Sequence, residues 1–244
     1  KRIYTWDDKK NKNNKKKFNL FKKALDKVDY IVISPGINIK KTKLKVKLSN
    51  NLKKIITDLD LFYMQKIAVK TIVITGTNGK STTCKLTKHI FKTNKSDVQL
   101  GGNIGKPILD LKIKKNSVVI IEASSFQLEY LKFIKPTLAV LLNITTDHLD
   151  WHNTITNYRN SKFKIFTKQS GTDVALLKNK KLIKLFQKKG YLSKIKIIRR
   201  DSLSNLINKT ITNNYLISEP NLENLEFTNQ ISKIFKIKKN IFLK

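Results

Sequence analysis

The sequence predicts an α/β protein in two units: a small one, then a larger, mostly parallel sheet with crossover helices on both faces. Three observations carry this. Short apolar runs (YIVI, TIVIT, VVIIE, TLAVLLN, VALL) alternate with helical patterns along the chain, as a parallel sheet with helical crossovers requires. Two of these runs end in a glycine turn, ISPG and VITG, so the strand–turn pattern starts afresh part-way along. The 244 residues are 40% apolar, enough to bury a core in each unit.

Taken in order, RIYTW reads as a strand closing at Asp7-Asp8. The basic run Lys9–Lys17 (KKNKNNKKK) follows as a solvated loop, and a helix spans Phe18 to Lys27. Tyr30 to Ile33 is a buried-strand run halted by Ser34-Pro35-Gly36. Leu44 to Asn51 suits a helix, and Lys54 to Thr57 a short strand. The pattern restarts around Ile67, which divides the chain into residues 1–66 and 67–244. In the second part, strands are expected at Thr71–Thr75, Val118–Glu122, Thr137–Asn143, Val174–Leu177 and Lys194–Ile198. Helices are expected at Ser81–Lys92, Thr156–Phe166, Lys180–Lys188 and Asn221–Phe235.

Composition excludes several classes. Lysines interrupt every apolar run before the roughly 18 residues a spanning helix needs, and no apolar segment follows the positive start as in a signal peptide. The expectation is a cytoplasmic protein without membrane insertion. One cysteine, Cys84, excludes an internal disulfide and a cysteine-built zinc site. Lys and Arg number 51 against 17 Asp and Glu, a formal charge of +34, which on its face suits nucleic acid. The excess, however, is lysine spread with Asn and Ile over nearly every segment, and arginine, the better phosphate and base reader, is scarce. Compositional drift accounts for that pattern, and no specific nucleic-acid partner is expected.

Chemistry concentrates at strand ends. Thr75-Gly76-Thr77-Asn78-Gly79-Lys80-Ser81-Thr82 lies between an apolar strand and a helix, the setting of a P-loop-type phosphate turn. Its glycines let backbone amides face phosphate oxygens, and the helix adds its positive end. Lys80 would reach the outer phosphates and Ser81 would offer a hydroxyl to magnesium. Ile74 stands where the complete motif has its first glycine. Glu122 ends VVIIE and runs into Ser124-Ser125-Phe126-Gln127, so it is read as a ligand for that magnesium rather than a surface carboxylate. Asn143 ends the next strand and leads into TTDHLDWH, where carboxylates and imidazoles share one loop. His148 is favoured over His152 as the metal-binding member.

The combination of GTNGKST, GGNIG (Gly101–Gly105), EASSFQLE (Glu122–Glu129), NITTDHLDWH (Asn143–His152) and YRNSKFKIF (Tyr158–Phe166) resembles the Mur ligases, ATP-dependent amino-acid ligases of peptidoglycan precursor synthesis. Within that family, SSFQLE, GNIG and the SPG turn are most similar to the branch that joins D-glutamate to UDP-N-acetylmuramoyl-L-alanine. The resemblance implies three domains: a Rossmann-like one for the uridine nucleotide, a central one for ATP, and a third for the incoming amino acid. Residues 1–66 would be part of the first and 67–244 the second. The resemblance would make the chain a fragment without the first strand or third domain, expected to bind nucleotide without turning over.

The resemblance also implies roles. Gly76, Thr77, Asn78, Gly79, Lys80, Ser81, Thr82 and Asn221 would hold ATP. Ser81 and Glu122 would hold one magnesium ion, and His148 with Lys162 a second, Lys162 as a carbamate formed with carbon dioxide. Lys80, His148 and Lys162 would be catalytic. Asp7 and Ser34-Pro35-Gly36 would line the uridine site, and Asn103, Ser124 and Gln127 would face the muramoyl-alanine portion. The adenine stretch departs from the family: Ser218-Glu219-Pro220-Asn221-Leu222-Glu223-Asn224 keeps both asparagines and loses the preceding glycine and histidine. The implied reaction runs through an acyl phosphate. The alternatives are a folylpolyglutamate synthase-like ligase and a polyanion-binding relic of the fold.

Overall fold

Six apolar runs pair side by side in the computed structural model, which describes residues 2–7, 10, 14–198 and 218–242. They are β3 (Lys70–Thr75), β4 (Val98–Gly102), β5 (Val118–Glu122), β6 (Leu138–Leu141), β7 (Val174–Leu177) and β8 (Lys194–Ile197). Their order across the sheet is β4-β5-β3-β6-β7-β8, and every pairing among them is parallel. Parallel neighbours need long crossovers, and helices supply them: α4 (Lys80–Thr93), α5 (Ser125–Glu129), α6 (Leu149–His152), α7 (Ile155–Phe163) and α8 (Lys180–Lys188), with α9 (Glu219–Ile234) and α10 (Lys239–Phe242) closing the chain.

Alternate strand residues feed two cores. Val73, Val119, Ile121, Ala139 and Leu141 face Leu128 of α5, Phe163 of α7 and Leu182 and Phe186 of α8. Ile72, Ile74, Ile120, Leu138 and Val140 face Cys84, Ile90 and Phe91 of α4 and Phe227 and Ile231 of α9. Burial on both faces is why β3 and β5 read as unbroken aliphatic runs rather than as alternating ones.

The chain leaves β3 toward β4 on one side and leaves β5 toward β6 on the other. Open parallel sheets form their binding crevice at the carboxyl ends of strands where the connections part this way. The ends of β3 and β5 therefore mark the place to look.

Ahead of the sheet lies a smaller unit of α1 (Lys15–Ala24), β1 (Ile31–Val32), α2 (Lys45–Asn50) and β2 (Ile55–Ile56). Its two strands pair in parallel, Ile31 against Ile55, and Leu25, Ile31, Ile33, Ile39, Leu44 and Leu48 form its core. Residues 2–6, expected as a strand, form none. Trp6 instead packs its ring on Phe18 and Phe21 of α1, at 4.9 and 6.0 Å, so aromatic burial on a helix takes the place of strand pairing. Asp8 and part of the lysine run (Lys9, Asn11, Lys12, Asn13) lie outside the described residues.

The periodicity did not signal β4 or helix α3 (Asp58–Met64), nor the short helices α5, α6 and α10. β4 has the short run VQLGG, and α3 is a single apolar stretch after a cap. Asp60 in α3 is fully buried. Its carboxylate accepts the backbone N–H groups of Thr57 at 3.0 Å, Lys132 at 2.9 Å and Phe133 at 2.7 Å. An amide in its place has one accepting oxygen instead of two and leaves a buried donor unpaired. Asp60→Asn is expected to destabilise the protein by about 1–2 kcal/mol, read by urea denaturation. No described helix is long and apolar enough to cross a membrane.

Candidate nucleotide site

The turn between β3 and α4 is shaped by two glycines. A Cβ on Gly76 would stand 2.9 Å from Leu142 Cβ, and Gly79 has φ of +82° with Asn224 Oδ1 2.2 Å from where its Cβ would be. Only glycine adopts that backbone without strain and lets α9 approach so closely. Asn143, at the end of the neighbouring run, holds the turn in shape. Its carbonyl accepts Thr77 N–H at 3.0 Å, and its side chain exchanges hydrogen bonds with Asn78 N–H and C=O at 2.9 and 3.2 Å. Thr77 Oγ1 accepts Thr145 N–H at 3.0 Å and lies 3.0 Å from the Tyr158 hydroxyl.

Lys80 opens α4 and folds its Nζ back to the Thr77 carbonyl at 2.7 Å. Burial lowers its pKa, and Glu122 and Asp147 oppose the shift. The ammonium is thus held at the inner edge of the turn, beside the positive end of a helix. One residue on, Ser81 Oγ donates to Glu122 Oε2 at 2.9 Å, joining the ends of β3 and β5 across the crevice. Glu122 is 1% exposed. Its other oxygen accepts Asn103 Nδ2 at 2.8 Å, and its carbonyl accepts Asn103 N–H at 2.9 Å. The GGNIG glycines permit this: Gly102 has φ of +102°, and a Cβ there would lie 2.4 Å from the Glu122 carbonyl oxygen.

The two histidines of the following loop part ways. His148 caps α6 in a left-handed conformation, with φ of +50°. It is exposed, with Nε2 3.4 Å from Asp147 Oδ2. His152 is buried and stacks on Phe126 at 5.8 Å with rings nearly parallel. Both of its ring nitrogens lack a hydrogen-bond partner. Burial, aided by Lys162 and His148, pushes its pKa down to about 4, so it serves as a neutral aromatic wall.

Lys162, on α7, is 1% exposed. Its Nζ donates to the Gly76 carbonyl at 2.8 Å and lies 4.7 Å from the centre of the Tyr158 ring, one helical turn earlier. Burial, with Lys80 adding repulsion, pushes its pKa down to about 7. Among so many solvated lysines, this one sits inside the phosphate turn.

The remaining candidates take varied places. Thr82 continues the first turn of α4. Ser124 and Gln127 build the capping box of α5, with Ser124 Oγ accepting Gln127 N–H at 3.3 Å and Gln127 Oε1 accepting Ser124 N–H at 3.1 Å. Asn221 belongs to a side-chain ladder running from Ser218 Oγ (3.2 Å) through Asn224 (3.1 Å) to Thr83 Oγ1 on α4 (3.2 Å). Pro220 sits in the first turn of α9, where proline is favoured, so the altered stretch forms an ordinary helix start. Ser34-Pro35-Gly36 follows β1 in the small unit, and Trp151 Nε1 donates to the Gly36 carbonyl at 3.3 Å. Asp7 accepts the Lys10 N–H at 3.0 Å in a local turn. Sequence reasoning left Asn143, Tyr158, Asn224 and Trp151 out of the candidate set. The available signals were Asn143 at a strand end, Asn224 as the second retained asparagine, and Tyr158 four residues before Lys162.

Among the described residues, no group of three or more His, Cys, Asp or Glu converges as a metal cage. The oxygen pair of Ser81 and Glu122 at the turn does suit a hard cation whose other ligands are phosphate oxygens and water.

Comparison with known proteins decides the family. The model of the Mur ligase middle domain matches residues 74–242. The chain belongs to the Mur ligase family. Relatives include the UDP-N-acetylmuramoylalanine–D-glutamate ligase of Rickettsia bellii, 44% identical over 57% of this chain and 30% of that protein. The enzyme of the same name from Aquifex aeolicus is 36% identical over 72% and 40%. The chain thus spans 30% to 40% of the length of these relatives. Among solved structures, the MurF ligase of Thermotoga maritima in complex with ADP matches with a TM-score of 0.56 at 15% identity, over 90% of this chain and 64% of that one. The FolC protein of E. coli in complex with DHPP and ADP matches with a TM-score of 0.50 at 14% identity, over 86% and 66%. Both establish the Mur ligase fold of this chain.

Proposed function

We propose that this chain holds ATP with magnesium, and the nucleotide-sugar substrate, of a ligase that joins D-glutamate to UDP-N-acetylmuramoyl-L-alanine. The observation that carries this is the Lys80, Ser81 and Glu122 constellation at the crevice, together with Lys162 buried against the same turn. Residues 67–244 are the ATP-binding part, and residues 1–66 serve the uridine nucleotide.

In this reading the amides of Gly76, Thr77, Asn78 and Gly79 and the first turn of α4 (Lys80 to Thr82) cradle the phosphates. Lys80 leaves the Thr77 carbonyl for the transferring phosphoryl group, and Asn221 faces the adenine. Ser81 and Glu122 hold the magnesium ion, which supplies charge neutralisation on the phosphate oxygens. The alanyl carboxylate oxygen attacks the γ-phosphorus and ADP departs, leaving an acyl phosphate. The D-glutamate amine then adds to the acyl carbon, loses a proton and expels phosphate to give the amide. Positioning and charge stabilisation do most of the work in such a transfer.

Lys162 is suited to become a carbamate, since an amine with its pKa pushed down to about 7 has a substantial neutral fraction near neutral pH and so can add carbon dioxide. The anion formed would face Lys80 favourably and, with His148, support a second cation. Ser34, Pro35, Gly36 and Asp7 line the uridine side, and Asn103, Ser124 and Gln127 the muramoyl-alanine side. Relatives of that name in two organisms, matched at 44% and 36% identity, favour this substrate over a folate. The test is calorimetric titration of the chain with UDP-N-acetylmuramoyl-L-alanine and with dihydropteroate. Saturable binding of the first, competed by UDP, is expected. Binding of the pteroate alone would overturn the substrate assignment and favour the folate reading.

A further inference from the structure

The loop that carries His148 is fastened to the small unit by three hydrogen bonds that the ligase reading does not use. Trp151 Nε1 donates to Gly36 C=O at 3.3 Å, Asn38 Nδ2 to Trp151 C=O at 2.9 Å, and Lys41 Nζ to Asp150 C=O at 2.7 Å. Tyr130 supports the join, with its hydroxyl accepting Ile39 N–H at 3.4 Å and its ring 6.1 Å from Trp151.

From Trp151 the contacts run on to the phosphate turn. Trp151 N–H donates to the His148 carbonyl at 3.1 Å. The Phe126 ring lies 4.8 Å from His148 and 5.1 Å from Trp151. His152 lies 4.6 Å from Trp151 on one side and 5.3 Å from Tyr158 on the other. The Tyr158 hydroxyl then meets Thr77 Oγ1. A continuous path of packed rings and hydrogen bonds thus joins the Ser34–Gly36 turn to the phosphate turn.

The path has a weak segment. Helix α6 has four residues, far too few to hold its shape alone, so its position is set by what it touches. Its hydrogen bonds to the small unit are with Gly36, in the turn assigned to the uridine nucleotide, and with Asn38 and Lys41 just after that turn, and these residues are at least partly exposed and open to rearrangement. We propose that Trp151 is a positioning residue through which occupancy of the Ser34–Gly36 turn sets the place of His148 and the phosphate turn. This rests on the ligase reading of the two sites. By linkage, a nucleotide sugar that tightens ATP binding through this path is itself bound more tightly when ATP is present.

The experiment is titration of the 244-residue chain with a non-hydrolysable ATP analogue and magnesium, with and without saturating UDP-N-acetylmuramoyl-L-alanine. The muramoyl nucleotide is expected to tighten analogue binding about tenfold. In Trp151→Phe, which keeps an aromatic ring and removes the indole N–H, the gain falls below about twofold. Lys41→Ala, an exposed change, reduces it part-way and reports on the same path should Trp151→Phe fold poorly. A purely structural role for Trp151 would lower the melting temperature or weaken both ligands while leaving their mutual effect intact. That result overturns the proposal, as does binding of both ligands to the unaltered chain without mutual effect, and either leaves the ligase reading standing. Failure of both ligands to bind the unaltered chain overturns the ligase reading and this inference with it.

Discussion

Lys80→Ala is expected to weaken ATP binding about 100-fold or more, because it removes the ammonium that opens α4 and is held at the turn by the Thr77 carbonyl. The argument is geometric rather than a matter of charge. With a formal charge of +34, the chain attracts any polyanion at low salt, and such attraction is screened as salt rises. Lys80 differs from the other lysines by being bonded to Thr77 C=O at 2.7 Å at the start of α4. It is also partly withdrawn from water, where its charge acts at lower dielectric. Lys85, on the exposed face of the same helix, is the matched control, and Lys85→Ala is expected to change affinity less than twofold. The measurement is equilibrium binding of ATP with magnesium at moderate and high salt. Equal, salt-dependent losses in the two variants would favour the polyanion-binding reading over the ligase.

Much of the sheet was legible because its strands are buried on both faces. β5 and β7 were bounded correctly from VVIIE and VALL alone, and α8 from its clean apolar face. β4 was not, since VQLGG offers little apolar length, and its identity as a strand comes from pairing with β5. The phosphate turn was legible for a similar reason: its glycines and Gly-Lys-Ser-Thr sit where a strand must become a helix. What lay beyond reach was long-range. Lys162 stood out from its many neighbours only through its place in the YRNSK pattern, and its partner, the Gly76 carbonyl, is 86 residues away in sequence. The hydrogen bond from the Asn103 amide to Glu122, on the adjacent strand, was likewise not legible. The RIYTW strand did not form because local propensity cannot say whether a neighbouring strand or a helix face will receive Trp6.

The burial of Lys162 gives a second large and signed expectation. Its pKa stands near 7 in the folded protein, against about 10.4 when solvated. Below pH 7 the amine is charged in both states, and the fold bears the full penalty of a buried ammonium beside Lys80. Between about 7 and 10 the unfolded chain holds the proton and the folded one does not, so stability rises with pH across that window. Urea unfolding in carbonate-free buffer at pH 6 and pH 9 is expected to show ~2 kcal/mol more gain in the unaltered chain than in Lys162→Met, where the group is absent. Groups common to the two proteins drop out of that difference. Adding bicarbonate at pH 9 then separates a buried amine from a carbamate site. At that pH the folded amine is neutral, and a carbamate there adds an anion attracted to Lys80, so bicarbonate is expected to stabilise the unaltered chain and leave Lys162→Met unmoved. Parallel pH slopes in the two proteins would show that Lys162 is solvated, and would remove the physical basis for its carbamylation.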